Sequence, residues 1–131
     1  MNEEKYFVPS ITDIRVEYEA EWKQPNGEWE TKVIEFDRRL TGAIELLSQK
    51  GFEDTIRTPY LTKEQIESEG WIFLHELPSG NIQTFTKDNI RASFSYSAKW
   101  IEIFNHLKKP IYDGECKDIN TFRTICKLLN I

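Results

Sequence analysis

Apolar and polar residues alternate strictly along the segment from Ile14 to Trp22. This period of two predicts a half-buried β-strand whose wet face is mostly acidic. The turn sequence Pro25-Asn26-Gly27 and a second strand-like segment, Trp29 to Phe36, follow it. We therefore predict a β-hairpin at the start of the chain.

The facing of the side chains predicts the register of this hairpin. A two-residue loop at Asn26-Gly27, or a four-residue loop from Pro25 to Glu28, pairs Trp22 with Thr31 and Ala20 with Val33. A slip of one residue would set Trp22 opposite Glu30, which a buried face would resist.

The middle of the chain has helical rather than alternating periodicity. Four apolar residues recur at helical spacing and predict a helix from about Arg38 to Lys50; they are Leu40, Ala43, Ile44 and Leu47. Phe52 to Tyr60 is predicted to be a connecting loop. Thr62 and Gln65 have the spacing of a capping box, so a short helix should begin there and end at Gly70.

The second half of the chain predicts an antiparallel meander with a closing helix. Short connections separate four strand-like segments, with Pro110 to Cys116 as a fifth; the four are Trp71–Leu77, Ile82–Lys87, Ile90–Ser97 and Trp100–Phe104. Asp118 precedes an amphipathic segment and should cap the closing helix. The predicted class is α+β, with a hairpin-helix lobe at 1–54 and an α-β-α lobe at 55–131 that form one compact unit.

Composition narrows the class of protein further. The chain has 131 residues, 39% hydrophobic, with 17 basic and 22 acidic residues. The net charge of −5 makes general nucleic-acid binding unfavourable. We see no secretory signal and no apolar run long enough to cross a membrane, so we expect a soluble, cytoplasmic protein.

The residues that could support catalysis or metal binding form no recognisable motif. Cys116 and Cys126 lack zinc or redox spacing and are expected to be reduced thiols, with a disulfide as the alternative. His75 is predicted to share a face with Trp71, Phe73 and Leu77. We predict no metal, no cofactor and no catalytic residue, and keep a nucleophilic Cys116 as an alternative.

Two groups of side chains are candidates for binding. The hairpin carries a ladder of glutamates that could dock on a basic protein, although charge on an edge strand also discourages aggregation; these are Glu17, Glu19, Glu21, Glu28 and Glu30. A pocket between the lobes could instead be lined by Trp22, Trp29 and Trp71. An RNA-stacking role for Phe94, Tyr96 and Trp100 is less favoured, because Phe94 and Tyr96 share a core-like face.

Residues 57–131 resemble uncharacterised small proteins of bacterial chromosomes, phages and mobile elements. The resemblance rests on an R-x-P-x-L-T-x-E opening, from Arg57 to Glu64, and on the closing segment from Gly114 to Leu129. It implies a short helix, strands and a terminal helix in an intracellular accessory protein of bacterial or phage origin. It implies no reaction.

The sequence therefore favours a non-enzymatic protein-interaction or accessory module, such as an inhibitory factor, that docks a basic partner through the acidic hairpin. The first alternative is a small-ligand-binding or enzymatic domain that uses the tryptophan pocket. The second alternative is a structural component of a virion.

Overall fold

The computed structural model describes residues 5–35, 55–78 and 81–131. The strands are β1 (Tyr6–Phe7), β2 (Glu19–Lys23), β3 (Trp29–Val33), β4 (Ile56–Pro59), β5 (Ile72–Glu76), β6 (Ile82–Lys87), β7 (Ile90–Ser95), β8 (Trp100–Phe104) and β9 (Pro110–Glu115). The helices are α1 (Lys63–Ser68) and α2 (Ile119–Leu129), and Ile11–Asp13 forms a 3-10 turn. The helix predicted from Arg38 to Lys50 lies outside the described residues. Antiparallel sheets of four and five strands with these helices confirm the α+β class.

The chain divides into two compact units, Met1–Tyr60 and Leu61–Ile131. The four-stranded sheet of the first unit has the order β1-β4-β2-β3, and every pairing is antiparallel. The predicted loop from Phe52 to Tyr60 is wrong over Ile56–Pro59, because these residues form β4 and pair with both β1 and β2. Alternating burial within β4, with Ile56 and Thr58 buried, marks it as a strand.

The first strand of the hairpin is shorter than the alternation predicts. Glu17 has a positive φ of 75°, and its N–H donates to the carbonyl of Ile34 at 2.7 Å. This turn separates Ile14 from β2, which begins at Glu19. The alternation looked continuous because Ile14, Tyr18 and Ala20 are all buried in one cluster.

The predicted register of the hairpin is wrong by one residue. Trp22 lies opposite Glu30 and Ala20 lies opposite Lys32. The loop has three residues, closed by the Gln24 N–H on the Glu28 carbonyl at 2.7 Å and the Gly27 N–H on the Gln24 carbonyl at 2.9 Å. Pro25 suits the first central position of such a turn, and Gly27 supplies the left-handed conformation, φ +87°, that closes it.

The second unit is the predicted meander, with the order β5-β6-β7-β8-β9. Asp88 and Asn89 join β6 to β7 with positive φ angles of 49° and 69°, as a two-residue hairpin requires. The core lies against one face, which we call the inner face. Its centre is formed by Phe85, Phe94, Ile101 and Ile103.

Both helices of the second unit contribute to this core. Thr62 and Gln65 form the predicted capping box, while Leu61 and Ile66 on either side are buried in the core. The Asp118 carboxylate caps α2 by accepting the Thr121 N–H at 3.1 Å. Helix α2 then buries Ile119, Phe122 and Ile125 among the core residues.

Candidate functional site

The glutamates of the predicted acidic ladder do not form one surface. Glu19 and Glu21 lie on one face of β2, whereas Glu30 lies opposite Trp22 on the other face of the hairpin. Glu28 lies at the end of the loop, where its carbonyl accepts the Gln24 N–H, and Glu17 belongs to the turn that precedes β2. Because the loop has three residues rather than two or four, the register shifts by one residue. The glutamates of β2 and β3 therefore lie on opposite faces of the hairpin.

Glu21 belongs to a cluster that spans all four strands of the first sheet. The Arg57 guanidinium binds its carboxylate, with Nη2 at 2.7 Å and Nε at 2.9 Å from Oε1. The same guanidinium lies 3.7 Å from the ring centre of Tyr6 and 4.1 Å from that of Trp29. These contacts connect all four strands. The positive charge of Arg57 compensates the negative charge of the Glu21 carboxylate within the unit.

The three tryptophans of the predicted pocket have different surroundings within their own units. Trp22 packs against the core of the first unit, while Trp29 lies on the opposite face, beside Arg57. Trp71 is only 2% exposed in the core of the second unit, where its ring makes an edge contact with Phe122. Within the first unit, Trp22 and Trp29 therefore do not share a face, and within the second, Trp71 has almost no exposed surface.

Neither thiol has the environment of a nucleophile. Cys116 and Cys126 are free, and Cys116 is fully buried. Burial raises the pKa of Cys116 far above its ordinary value of 9.0. Burial likewise raises the pKa of Cys126 to about 11, although Lys87 opposes the shift. Such thiols are predominantly protonated at neutral pH, and the thiol form is a poor nucleophile.

His75 lies on the outer face of the five-stranded sheet, which is the face opposite the core. The pairing of β5 with β6 shifts between Phe73 and His75, so Phe73 lies opposite the buried Phe85 whereas His75 lies opposite Thr84. A bulge turns the following side chains to the other face of a sheet. The prediction that His75 shares a face with Phe73 is therefore wrong.

The outer face carries a groove of about 600 Å³. It crosses four strands and includes the ends of two hairpin turns. The lining residues are His75, Thr84, Thr86, Asn89, Arg91, Ser93, Phe104, Asn105, His106 and Lys108. We call this feature the outer-face groove.

Hydrogen bonds within the sheet and a turn hold the walls of the outer-face groove. The hydroxyls of Thr84 and Ser93 lie 3.1 Å apart on its floor. At one end, Asn105 Oδ1 accepts the N–H groups of Leu107 and Lys109 at 2.9 and 3.0 Å. This asparagine fixes the turn that carries His106 and Lys108.

The groove is cationic and rich in hydrogen-bond donors. Arg91 and Lys108 contribute permanent positive charge, and no carboxylate is among the lining residues. Glu102 and Asp113 continue the row of Ser93 on the next two strands. They lie outside the groove, and Asp113 accepts the indole N–H of Trp100. Positive charge is therefore confined to one part of the outer face.

The two histidines lie at separate places along the groove. Three strand spacings separate β5, which carries His75, from β8, which leads to His106, and this places the backbones about 14 Å apart. The spacing suits several contacts along an extended ligand.

Metal ions require sets of ligating side chains grouped around one point. Within residues 5–35, 55–78 and 81–131, no three His, Cys, Asp or Glu side chains are grouped so that they could hold an ion. The donors that line the groove are mainly hydroxyl, amide and cationic groups. Cationic donors repel a metal ion and attract an anion.

Comparisons with known proteins identify no relative. No family model, no curated protein and no solved structure matches the chain. The resemblance of residues 57–131 to small bacterial and phage proteins therefore stays a prediction. No helix in the described part of the chain is long and apolar enough to span a membrane.

Sequence reasoning missed the groove because its residues are scattered between positions 75 and 108. One signal was present in the sequence, since Thr84, Thr86, Arg91 and Ser93 are the polar members of alternating strands. They mark the wet face of the sheet. The histidine at position 75 could not be added to this face without knowledge of the bulge.

Proposed function

We propose that this protein is a non-enzymatic protein-interaction module that binds an acidic segment of a partner protein in the outer-face groove. The observation that carries the proposal is the grouping of Arg91, Lys108 and two histidines in one groove without a lining carboxylate. Charge complementarity of this kind selects partners and accelerates their encounter.

Three features favour a protein segment over a nucleic acid. The chain has a net charge of −5, which opposes the approach of a long polyanion. Glu102 and Asp113 lie on the same outer face and would repel phosphates that ran across the sheet. The second unit as a whole has nine basic and nine acidic residues, so it offers no basic stripe. A short segment with a few carboxylates fits the limited extent of the positive charge.

The protonation states of the two thiols favour a binding role over a catalytic one. Burial raises the pKa values of both thiols, so that they are protonated and poorly nucleophilic at neutral pH. Docking through the acidic hairpin stays a prediction. It has less support than the groove, because its five glutamates are divided between two faces, a loop and a turn.

Isothermal titration calorimetry of the protein with a twelve-residue peptide of alternating glutamate and valine tests the proposal. We expect binding that weakens as salt concentration rises, since exposed charges are screened over about 10 Å at 0.1 M salt. Lys108→Glu should weaken binding about tenfold, which corresponds to about 1.4 kcal/mol.

Lys109→Glu is the matched control, because Lys109 is the next residue of the same turn and is not among the lining residues. It should change binding far less than Lys108→Glu. Equal effects of the two substitutions, or no binding by the original protein, would contradict the proposal. If the protein instead binds single-stranded DNA, and substitution of Arg91 abolishes that binding, the groove is a nucleic-acid site and not a peptide site.

A further inference from the structure

We infer that the acidic segment binds as an added β-strand along the free edge of β5, next to the outer-face groove. The inference rests on the proposed function, and it specifies how the partner is held. It concerns the backbone of β5 as well as the charges of the groove.

Strand β5 is at one end of the five-stranded sheet, with β6 as its neighbour. Within the described residues, no strand pairs with its outer side. A free edge presents backbone N–H and C=O groups that can bind an extended peptide. Several domains that recognise peptides obtain their affinity in this way.

The side chains along β5 are unusually apolar for an exposed edge. Ile72 is 64% exposed, Leu74 is 40% exposed, and Leu77, which follows the strand, is 47% exposed. Edge strands that must stay unpaired are normally protected by charge, proline, short length or β-bulges. Here Glu76 contributes the only acidic side chain of the strand.

The opposite edge of the sheet has protection by proline and by two acidic residues, whereas β5 has one bulge and one acidic residue. Strand β9 begins with Pro110, which has no N–H, and it carries the acidic residues Asp113 and Glu115. The two edges therefore differ in how readily they accept another strand. This difference singles out β5 as the edge for docking.

The backbone of Glu76 is the anchor for an added strand. The Leu77 N–H donates to the carbonyl of Ile82 at 3.0 Å, so the backbone groups of Leu77 are directed toward β6. Because hydrogen-bonding directions alternate along an antiparallel strand, the N–H and C=O of Glu76 are directed toward the free edge. The bulge between Phe73 and His75 limits regular pairing to the residues on either side of it.

The same strand connects this edge to the positive charge of the groove. An added strand would lie about 4.8 Å from β5. Its side chains on the outer face would then continue the row of His75, Thr84 and Ser93. Acidic residues at alternate positions of the partner would therefore stand on the outer face beside His75, at the end of the groove nearest β5, where the positive potential of the groove favours them.

The test uses two variants of one residue with the alternating Glu-Val peptide as the probe. Glu76→Pro removes the N–H that would donate to the added strand, and no bond to β6 depends on that group. Proline is tolerated on an edge strand where the N–H is directed toward solvent. Glu76→Ala removes the same side chain and keeps the N–H. We expect Glu76→Pro to bind at least tenfold more weakly than Glu76→Ala.

A second probe keeps the inference falsifiable if the proline variant does not fold. A peptide of alternating glutamate and proline has the same charge but cannot pair as a strand. We expect it to bind the original protein at least tenfold more weakly than the Glu-Val peptide. Equal binding of both peptides, or equal binding by the two Glu76 variants, would overturn strand addition.

The outcomes separate this inference from the proposed function. If both peptides bind equally and Lys108→Glu still weakens them, the groove binds acidic segments without strand addition. If the Glu-Val peptide does not bind, or binds independently of Lys108, the proposed function itself fails.

Discussion

The Arg57 guanidinium binds the Glu21 carboxylate at 2.7 Å across β4 and β2 of the first sheet. The two side chains are only 27% and 15% exposed, and the rings of Tyr6 and Trp29 flank the guanidinium. A largely desolvated pair of this kind leaves an uncompensated charge when one partner is removed.

Arg57→Ala should therefore destabilise the protein by about 2–4 kcal/mol. The loss combines the ion pair with the two cation–π contacts, each of which contributes about 0.5–2 kcal/mol. Urea unfolding of Arg57→Ala, Glu21→Gln and the double variant forms a double-mutant cycle. We expect a coupling energy above about 0.5 kcal/mol, as is found for residues in direct contact. Additive losses would show that the pair contributes no mutual stabilisation.

Both cysteines should react slowly with alkylating reagents in the native protein. Cys116 is fully buried, and burial raises the pKa of Cys126 to about 11. The thiolate is the reactive form, so at pH 8 each thiol should react more slowly than a model thiol such as glutathione. Mass spectrometry of samples quenched over time measures both sites, and protein unfolded in urea is the control. Native reaction at the unfolded rate would contradict the described burial.

The free energy of unfolding should fall as the solution becomes alkaline. The pKa of Cys126 is raised from 9.0 to about 11, and burial also raises the pKa values of Cys116 and Tyr96. A raised pKa in the folded state stabilises the protein fully below the unfolded pKa, and this contribution is lost as pH rises toward the folded value. The decline should therefore begin near pH 9, where the unfolded cysteines ionise.

Urea midpoints measured between pH 7.5 and pH 11 test this expectation. The Cys126→Ala variant should show a shallower decline than the original protein, because one of the shifted groups is absent. A midpoint that is constant or that rises between pH 9 and pH 11 would contradict the prediction.

The elements of the second unit could be predicted from local rules. Strand-like segments separated by short connections located all five strands, and the three central ones, β6, β7 and β8, bury residues in the core. The capping box at Thr62 and the cap at Asp118 are local hydrogen bonds between residues three apart in sequence, and these also formed as predicted. Such features depend on a few neighbouring residues and require no knowledge of the tertiary structure.

The face on which each side chain lies was harder to predict. One extra residue in a loop or a strand moves all the following side chains to the opposite face. A three-residue loop at Pro25–Gly27 moved Glu30 to the face of Trp22. A bulge before His75 moved this histidine from the core side to the outer face. Loop length and bulges depend on backbone geometry that alternation does not encode. The candidate site depends on this detail, and so it emerged from the structure.

The most direct test of the account is an NMR titration of the full chain with the alternating Glu-Val peptide. The account predicts that the largest amide shift changes occur at β5, at Arg91 and in the turn from Asn105 to Lys109, with changes in the acidic hairpin small by comparison. Changes concentrated in the hairpin around Glu28 and Glu30, or no changes at saturating peptide, would contradict it.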